Sequence, residues 1–510
     1  MMQQDDKLST IPENDADERE RLRNVRPADW RNPTPARRYN LAIVGAGPAG
    51  LLAAHAAAGL GAKVALVERE WLGGDCLNIG CVPSKAILRT SRLYEGMRNA
   101  DHYGARVPGD IRVDFPAAMQ RMRDLRARIS RDDAARRLAS AGVDVFFGDA
   151  RFSGADTLMV DGTTLRFSRA MIATGARPDT PDVPGLVEAG FLTNETVFDL
   201  TQLPRRVLVI GGGPLGCELA QAFCRFGART TIAQDMPLFL PKEERDAAQI
   251  LSDAFARDGL DVRLNSKVVG VRVENGEKLV DLVSDDYKST VAVDAILTGV
   301  GRVPNVDDLD LEKAGVEYDD EMGVHVDDFL RTSNPRIYAA GDACLEHKFT
   351  HTADASARIV VQNALFLGRK RLSALTVPWC TYTDPEISHV GIYVRQANAR
   401  GIEVKTFTVP LHEVDRAILD GETDGFVKIH TEGDSDRILG ATIVAEHAGE
   451  MINEITLAMV ANIGLRTLAQ VIHAYPTQAE AIRKAADAWN RGRLTPRMQR
   501  LAAAWLRWRR

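Results

Sequence analysis

Cys76 and Cys81 lie five positions apart in the segment GGDCLNIGCVPSK, and Lys85 follows the second of them closely. Two thiols at that spacing can cycle between dithiol and disulfide and so hand on two electrons. Both sit where a helical stretch begins. A helix N-terminus and a nearby ammonium each favour thiolate, so lowered pKa values are expected for both cysteines. A zinc site fits less well, because one pair supplies two ligands and neither a second pair nor neighbouring histidines complete four; no metal-ligand set is expected. Cys217, Cys224, Cys344 and Cys380 match no exchange pattern and read as small buried hydrophobes.

The elements that must position this pair precede it directly. The strand LAIVG runs into Gly45, Gly47 and Gly50 (GAGPAG), a helix follows, and a second strand ends in Glu68. That is a complete dinucleotide-binding unit: Gly45 makes the tight turn, Gly47 lets the backbone approach a pyrophosphate, Gly50 lets helix pack on strand, and Glu68 accepts from a ribose hydroxyl. The pattern returns in RVLVIGGGPLGCELAQAFCRFGARTTIAQD, with Gly211, Gly213 and Gly216 in the same roles. One chain thus carries two dinucleotide sites. Where the second ribose acid belongs stands Gln234, which holds a diol less strongly than a carboxylate and does not repel a 2′-phosphate; the next residue, Asp235, disfavours one.

The 510 residues, 45% of them hydrophobic, can bury several cores, and about 150 residues per domain implies roughly three domains. A net charge of -6 supplies no long-range attraction for nucleic acid, and none is expected as a partner. Six cysteines are too few for a disulfide framework, and the polar N-terminus contains no apolar leader, so the expected compartment is the cytoplasm. Leu41–Val67 is the longest apolar stretch, but five glycines, His55 and Lys63 interrupt it, which fits a buried βαβ unit rather than a membrane span. Residues 1–37, with acids, arginines and four prolines in no period, are expected to form a flexible extension.

With the glycine turns, CLNIGCVPSK resembles the class I pyridine nucleotide-disulfide oxidoreductases. The resemblance runs from about Tyr39 to Arg493 through ATGARP, GVGRVPN, YAAGDA and TDPEISHVG in the family's order. It implies an α/β chain with two Rossmann-like domains, for FAD (38–200 and 298–372) and NAD(P) (201–297), plus an α+β dimerisation domain (374–490). It implies FAD and either NADPH or NADH as cofactors, the choice between the last two staying open. By similarity Cys81 faces the flavin and Cys76 attacks the acceptor. Lys85 and Glu218 resemble the family's ion pair beside the flavin, Asp342 resembles the carboxylate that binds its ribityl region, and Thr174, Gly175 and Gly301 belong to the nucleotide-contacting turns. A homodimer with a composite active site is expected, one subunit's C-terminal domain facing the other's Cys76.

The sequence departs from that pattern at IHAYPTQAEA. The family's disulfide reductases place a histidine before proline here, with a glutamate five residues on, as acid and base. Tyr475 stands in the histidine's place and Glu480 keeps the glutamate's. A phenol titrating near about 10 is a poor base, so proton transfer to an organic dithiol is slow unless His473 substitutes. A soft metal ion needs no such base, which makes the chain most similar to mercuric reductase, with Hg(II) or another soft metal as the small electron acceptor. Yet it has no GMTCxxC motif and no vicinal cysteine pair near the C-terminus, Cys380 being the last cysteine. Dihydrolipoamide dehydrogenase-like reduction, quinone or dye reduction, and a flavin-bearing membrane adaptor with little turnover are the alternatives.

Residues 491–510 hold seven arginines and no acid, with Met498, Leu501, Trp505 and Trp508 at helical spacing. A short basic amphipathic helix suits either an anionic membrane surface, contacted peripherally through 495–510, or the protein's own acidic surface.

Overall fold

The apolar runs on either side of the first glycine turn become parallel strands in the computed structural model, which describes residues 14–107, 109, 111–284, 287–366 and 368–510. Tyr39–Val44 lies between Val64–Glu68 and Thr163–Ile172, with Ile43 in register with both Leu66 and Met171. Val143–Phe147 closes one edge, and Ile337–Ala339 pairs with Thr163–Ile172 in a seven-stranded sheet. Alternate residues feed two cores. Leu41, Ile43 and Leu66 meet the helices Pro48–Gly59 and Thr350–Leu365 on one face, while Ala42, Val44 and Val67 pack with Phe152 and Phe167 on the other. A strand buried on both faces explains why LAIVG is apolar throughout.

The second glycine turn repeats the arrangement. Asp261–Arg263, Arg229–Ala233, Arg206–Ile210 and Ala295–Thr298 form a four-stranded parallel sheet, joined in sequence to a three-stranded antiparallel one, Ser266–Glu274, Glu277–Ser284 and Tyr287–Val293. The helix Pro214–Phe226 opens at the glycines.

Two units emerge from this chain: residues up to 237 with 259–375, and 238–258 with 376–510. The second is built on a five-stranded antiparallel sheet whose Val427, Ile429 and Ile443 pack against Ile452 and Ile455 of Ala448–Val460 and Ile482 and Trp489 of Glu480–Gly492. Residues 238–258 join it, although the sequence reading assigns all of 201–297 to one domain. The reason is polar: Glu243 accepts from Tyr393 Oη (2.7 Å) and Trp379 Nε1 (3.0 Å), and Glu244 accepts from Lys428 Nζ (2.6 Å) and pairs with His430 Nε2 (2.9 Å).

Residues 14–36 differ from the flexible extension expected of 1–37; residues 1–13 lie outside the described residues. Ala16–Val25 is a helix capped by the Asp15 carboxylate, which accepts from the Asp17 and Glu18 amides. Asp15 pairs with Arg123 at 2.9 Å and Glu18 with Arg126 at 2.9 Å, and Val25 enters the sheet's core. Farther along, Asn32 Nδ2 donates to the Phe147 carbonyl and the Phe147 amide donates to Asn32 Oδ1, both at 2.8 Å, along the edge strand. Charged residues that satisfy one another can be buried, and composition alone does not show that pairing.

The C-terminal segment forms the helix Pro496–Trp508, capped by Thr495 and exposed along its whole length. Among the described residues no helix is long and apolar enough to cross a membrane.

Candidate active site

Gly45 adopts φ +98°, and a Cβ there would collide with the Ala173 carbonyl oxygen, so this turn admits only glycine. Gly47 caps the Pro48–Gly59 helix with no side-chain cap, an N-terminus of the kind that suits an anion. Glu68, at the end of its strand, accepts from the Ala46 amide at 2.7 Å and the Glu70 amide at 2.8 Å. Burial nonetheless pushes its carboxyl above the ordinary value. A cavity of about 140 Å³ lies here, lined among others by Gly45, Glu68, Arg69, Thr174, Asn305 and Asp307. Thr174 Oγ1 donates to the Asn305 carbonyl (2.7 Å) and Asn305 Nδ2 to that of Thr174 (3.0 Å), fastening ATGARP to GVGRVPN. Gly175 (φ +71°) and Gly301 (φ +144°) lie in these two turns without lining the cavity. The glycine turn at Gly45 and the acid Glu68 share one cavity, and the helix that opens at Gly47 follows directly in the chain, an arrangement that fits the nucleotide half of FAD.

The cysteines follow at once. Gly73 and Gly74 bring the chain back onto the glycine turn so tightly that a Cβ on Gly74 would stand 2.7 Å from Gly47 Cα. Cys76 lies in the short helix Gly74–Asn78, and Cys81 is the first residue of Cys81–Arg98. Gly80 joins them, and a Cβ there would come within 2.8 Å of the Asp75 carbonyl oxygen.

The two thiols do not behave alike. A hydrogen bond from Cys76 draws Cys81 down to about 6, against burial and with help from the Lys85 charge and the Thr350 hydroxyl. The same bond, with burial, pushes Cys76 well above its ordinary value. This corrects the expectation that both thiols are lowered: the shared proton can stabilise only one thiolate. Thr350 Oγ1 is 3.4 Å from Cys81 Sγ. Lys85 Nζ lies 2.8 Å from Glu218 Oε2, the carboxylate 3% exposed and the ammonium 35%. The expected ion pair is thus formed. Burial raises the Asp342 carboxyl, opposed by Arg302, whose Nε is 3.7 Å away and whose Nη2 also pairs with Asp75.

The second nucleotide turn copies the first. Gly211 has φ +97°, Gly213 caps the helix, and a Cβ on Gly216 would strike the Gly211 carbonyl, as one on Gly50 would strike that of Gly45. Gln234 Oε1 accepts the Gly212 amide at 2.7 Å, just as Glu68 accepts that of Ala46.

In the C-terminal unit, Tyr475 is exposed and its hydroxyl donates to Asp415 Oδ2 at 2.8 Å, which raises the phenol further. Glu480 is buried and accepts from Arg483 at 2.6 Å. His473 Nε2 sits 3.0 and 3.2 Å from the two Glu454 carboxylate oxygens. Tyr475, Glu480 and His473 therefore have separate partners.

Sequence reasoning missed four contributors. Thr350 and Arg302 touch the site through neighbours distant in the chain, and Arg21 and Arg126 both donate to Asn78, between the cysteines. Only Arg302, inside GVGRVPN, stood in a motif.

These features define a class of nucleotide-dependent thiol oxidoreductases. The chain belongs to the pyridine nucleotide-disulphide oxidoreductase family: the family's model matches residues 39–357, and that of its dimerisation domain matches 377–486. It is 34% identical over 456 residues to a mercuric reductase of Streptomyces lividans, covering 88% of this chain and 96% of that protein. It is also 34% identical over 459 residues to a dihydrolipoyl dehydrogenase of Thermus scotoductus, covering 88% and 97%. Among solved structures, LpdA from Mycobacterium tuberculosis superposes with a TM-score of 0.80 at 29% identity (89% and 99% covered), and the HOCl-induced flavoprotein disulfide reductase RclA from Escherichia coli with 0.79 at 29% (88% and 99%). RclA has also been solved as a Cu(II) complex. The chain is thus an NAD(P)H-dependent flavin oxidoreductase of the family that uses FAD, and it carries the family's dimerisation domain.

Proposed function

We propose that this protein passes two electrons from NAD(P)H through Cys76 and Cys81 to a soft metal cation of the Hg(II) kind. The observation that carries this is Tyr475, whose hydroxyl is committed to Asp415 where a disulfide reductase needs an imidazole. A thiolate at Cys81 and a second sulfur at Cys76 bind a soft cation without a proton donor.

Gly45, Gly47, Glu68 and Asp342 would hold FAD, which when bound would supply the two-electron redox chemistry that links NAD(P)H to the sulfur pair. Opening the disulfide takes two electrons and one proton, which leaves Cys76 as thiol and Cys81 as thiolate, the distribution their hydrogen bond favours. Lys85, fixed by Glu218, keeps positive charge beside that thiolate. Overall, Hg(II) and NAD(P)H give Hg(0), NAD(P)⁺ and one proton. In a homodimer, Tyr475 and Glu480 of one subunit face Cys76 of the other.

One observation favours a second reading. His473 and Glu454 form an imidazole–carboxylate pair, the group a dihydrolipoamide-type reductase uses for proton transfer. For the exposed arginine- and tryptophan-bearing helix Pro496–Trp508 we infer peripheral contact with an anionic membrane surface, making the protein a cytoplasmic enzyme that visits the bilayer.

An anaerobic NAD(P)H titration followed by Hg(II), Cu(II), lipoamide, glutathione disulfide and quinones tests the acceptor. Metal turnover abolished by Cys76→Ser, with NAD(P)H-dependent bleaching of the flavin intact, is expected. Quinone turnover surviving in the Cys76, Cys81 double serine variant would replace this reading with direct transfer.

A further inference from the structure

Asn78 stands between the two redox cysteines and is 1% exposed, with each polar end of its side chain and its carbonyl in use. Its Nδ2 donates to the carbonyls of Leu72 (3.0 Å) and Gly74 (2.8 Å), which shapes the loop from within. Its Oδ1 accepts from Arg21 Nη1 at 2.5 Å, and its carbonyl from Arg126 Nη1 at 2.8 Å. Arg21 belongs to the helix Ala16–Val25, which lies ahead of the residues matched by the family model. That guanidinium is 4% exposed, pairs with Glu18 and stacks over the Trp71 ring at 4.8 Å.

The helix is fastened on its other sides too. Glu18 bridges Arg21 and Arg126, Asp15 holds Arg123, Asn24 Nδ2 donates to Ser130 Oγ at 2.9 Å, and the Leu72 amide donates to the Val25 carbonyl at 3.1 Å. Buried charges of this kind are costly unless paired, and here the pairing ends on the loop that joins the cysteines. A hydrogen bond to a charged donor contributes more than a neutral one, and losing it leaves the Asn78 oxygen buried and unpaired.

We propose that the helix Ala16–Val25 is a clamp on the redox loop, with Arg21 as a positioning residue that acts through Asn78 to hold Cys76 and Cys81 in mutual contact. Arg21 touches neither sulfur; it fixes the backbone on which both are carried. The proposal rests on the reading of Cys76 and Cys81 as the redox pair. Loosening the loop weakens the thiol–thiol hydrogen bond, so the difference between the two sulfurs shrinks and Cys81 becomes a poorer thiolate.

The test uses the full-length, reduced protein and follows Cys81 alkylation by iodoacetamide against pH, with peptide mass spectrometry as the readout. Arg21→Met is expected to move the Cys81 profile to higher pH and to slow its alkylation about threefold or more near neutrality. Arg21→Lys, which keeps one donor and the charge, is expected to shift it less. Arg131→Ala, which removes the exposed partner of Glu20 on the clamp helix, is expected to leave it in place. An unshifted Arg21→Met profile, or an equal shift in Arg131→Ala, overturns the clamp. If Arg21→Met gives no folded protein, an unshifted Arg21→Gln profile, in which the charge is gone, does the same. Alkylation of the reduced thiols does not depend on which acceptor is reduced, so failure of the metal assignment would leave this result standing, and the reverse.

Discussion

Lys85 Nζ and Glu218 Oε2 meet at 2.8 Å, joining the helix that begins at Cys81 to the helix that opens at the second glycine turn. One ion pair therefore connects the thiol side of the site with the nicotinamide-nucleotide side. Lys85→Met removes the cation that helps Cys81 ionise and takes from the buried Glu218 carboxylate its partner at 2.8 Å. The expected results are an upward move of the Cys81 titration from about 6 and a stability loss of about 2 kcal/mol, discounted for the partly exposed lysine. Alkylation profiles and urea unfolding measure the two.

The split between the thiols gives a pH signature. Cys81 is depressed from its ordinary 9.0 to about 6, so its thiolate persists above about 6 and is lost as pH falls through that value. The stability this lends the reduced protein is full only above 9.0, declines through the interval below it, and is gone beneath about 6. Cys76 is raised, so it stays protonated across the same range. In reduced protein iodoacetamide should label Cys81 with a midpoint near 6 and Cys76 far more slowly; preferential labelling of Cys76 would contradict the split.

Gln234 occupies the seat that Glu68 holds in the first turn, each accepting an amide at 2.7 Å. Gln234→Glu places a carboxylate where a 2′-phosphate would lie. It should raise the NADH over NADPH preference in kcat/KM by about tenfold, with little change in FAD content. Steady-state kinetics with both nucleotides decide it.

Tyr475→His returns an imidazole to the position before Pro476. Lipoamide or glutathione disulfide turnover should then rise by about tenfold or more, while Tyr475→Phe leaves Hg(II) turnover near the parent's. If Tyr475→Phe abolishes metal turnover, the phenol has a direct role that the Asp415 hydrogen bond does not suggest.

The arginine-rich helix makes the membrane inference quantitative. Each arginine near an anionic surface contributes about 1 kcal/mol, so replacing Arg507, Arg509 and Arg510 by Gln should weaken binding to anionic vesicles about a hundredfold. Co-sedimentation, repeated with zwitterionic vesicles and at raised salt, checks it; equal binding to both lipids would point to a second copy of the chain or another protein as the partner.

Much of this architecture was legible in the chain because it is local. Gly45, Gly47 and Gly50 followed by Glu68 specify a turn, a helix start and an acid within one βαβ unit, and all four stand as the spacing requires. The Lys85–Glu218 pair came from the family's pattern, since 133 residues separate its members and no periodicity relates them. What stayed hidden was non-local and polar. Arg21 reaches Asn78 across 57 positions, and a stretch rich in Asp, Glu and Arg reads as solvated unless its buried partners are known. The inequality of Cys76 and Cys81 was hidden for a related reason: both lie in the first turn of a helix, and chiefly their mutual hydrogen bond decides which keeps the proton.

The double hydrogen bond between Asn32 and Phe147 has a bearing on self-association. A sheet rim normally offers a free amide and carbonyl on which a stranger's backbone can lay itself down, the first event in fibre growth. Here a side-chain amide occupies both groups of Phe147, so at that end of the strand the rim is already satisfied from within the same molecule.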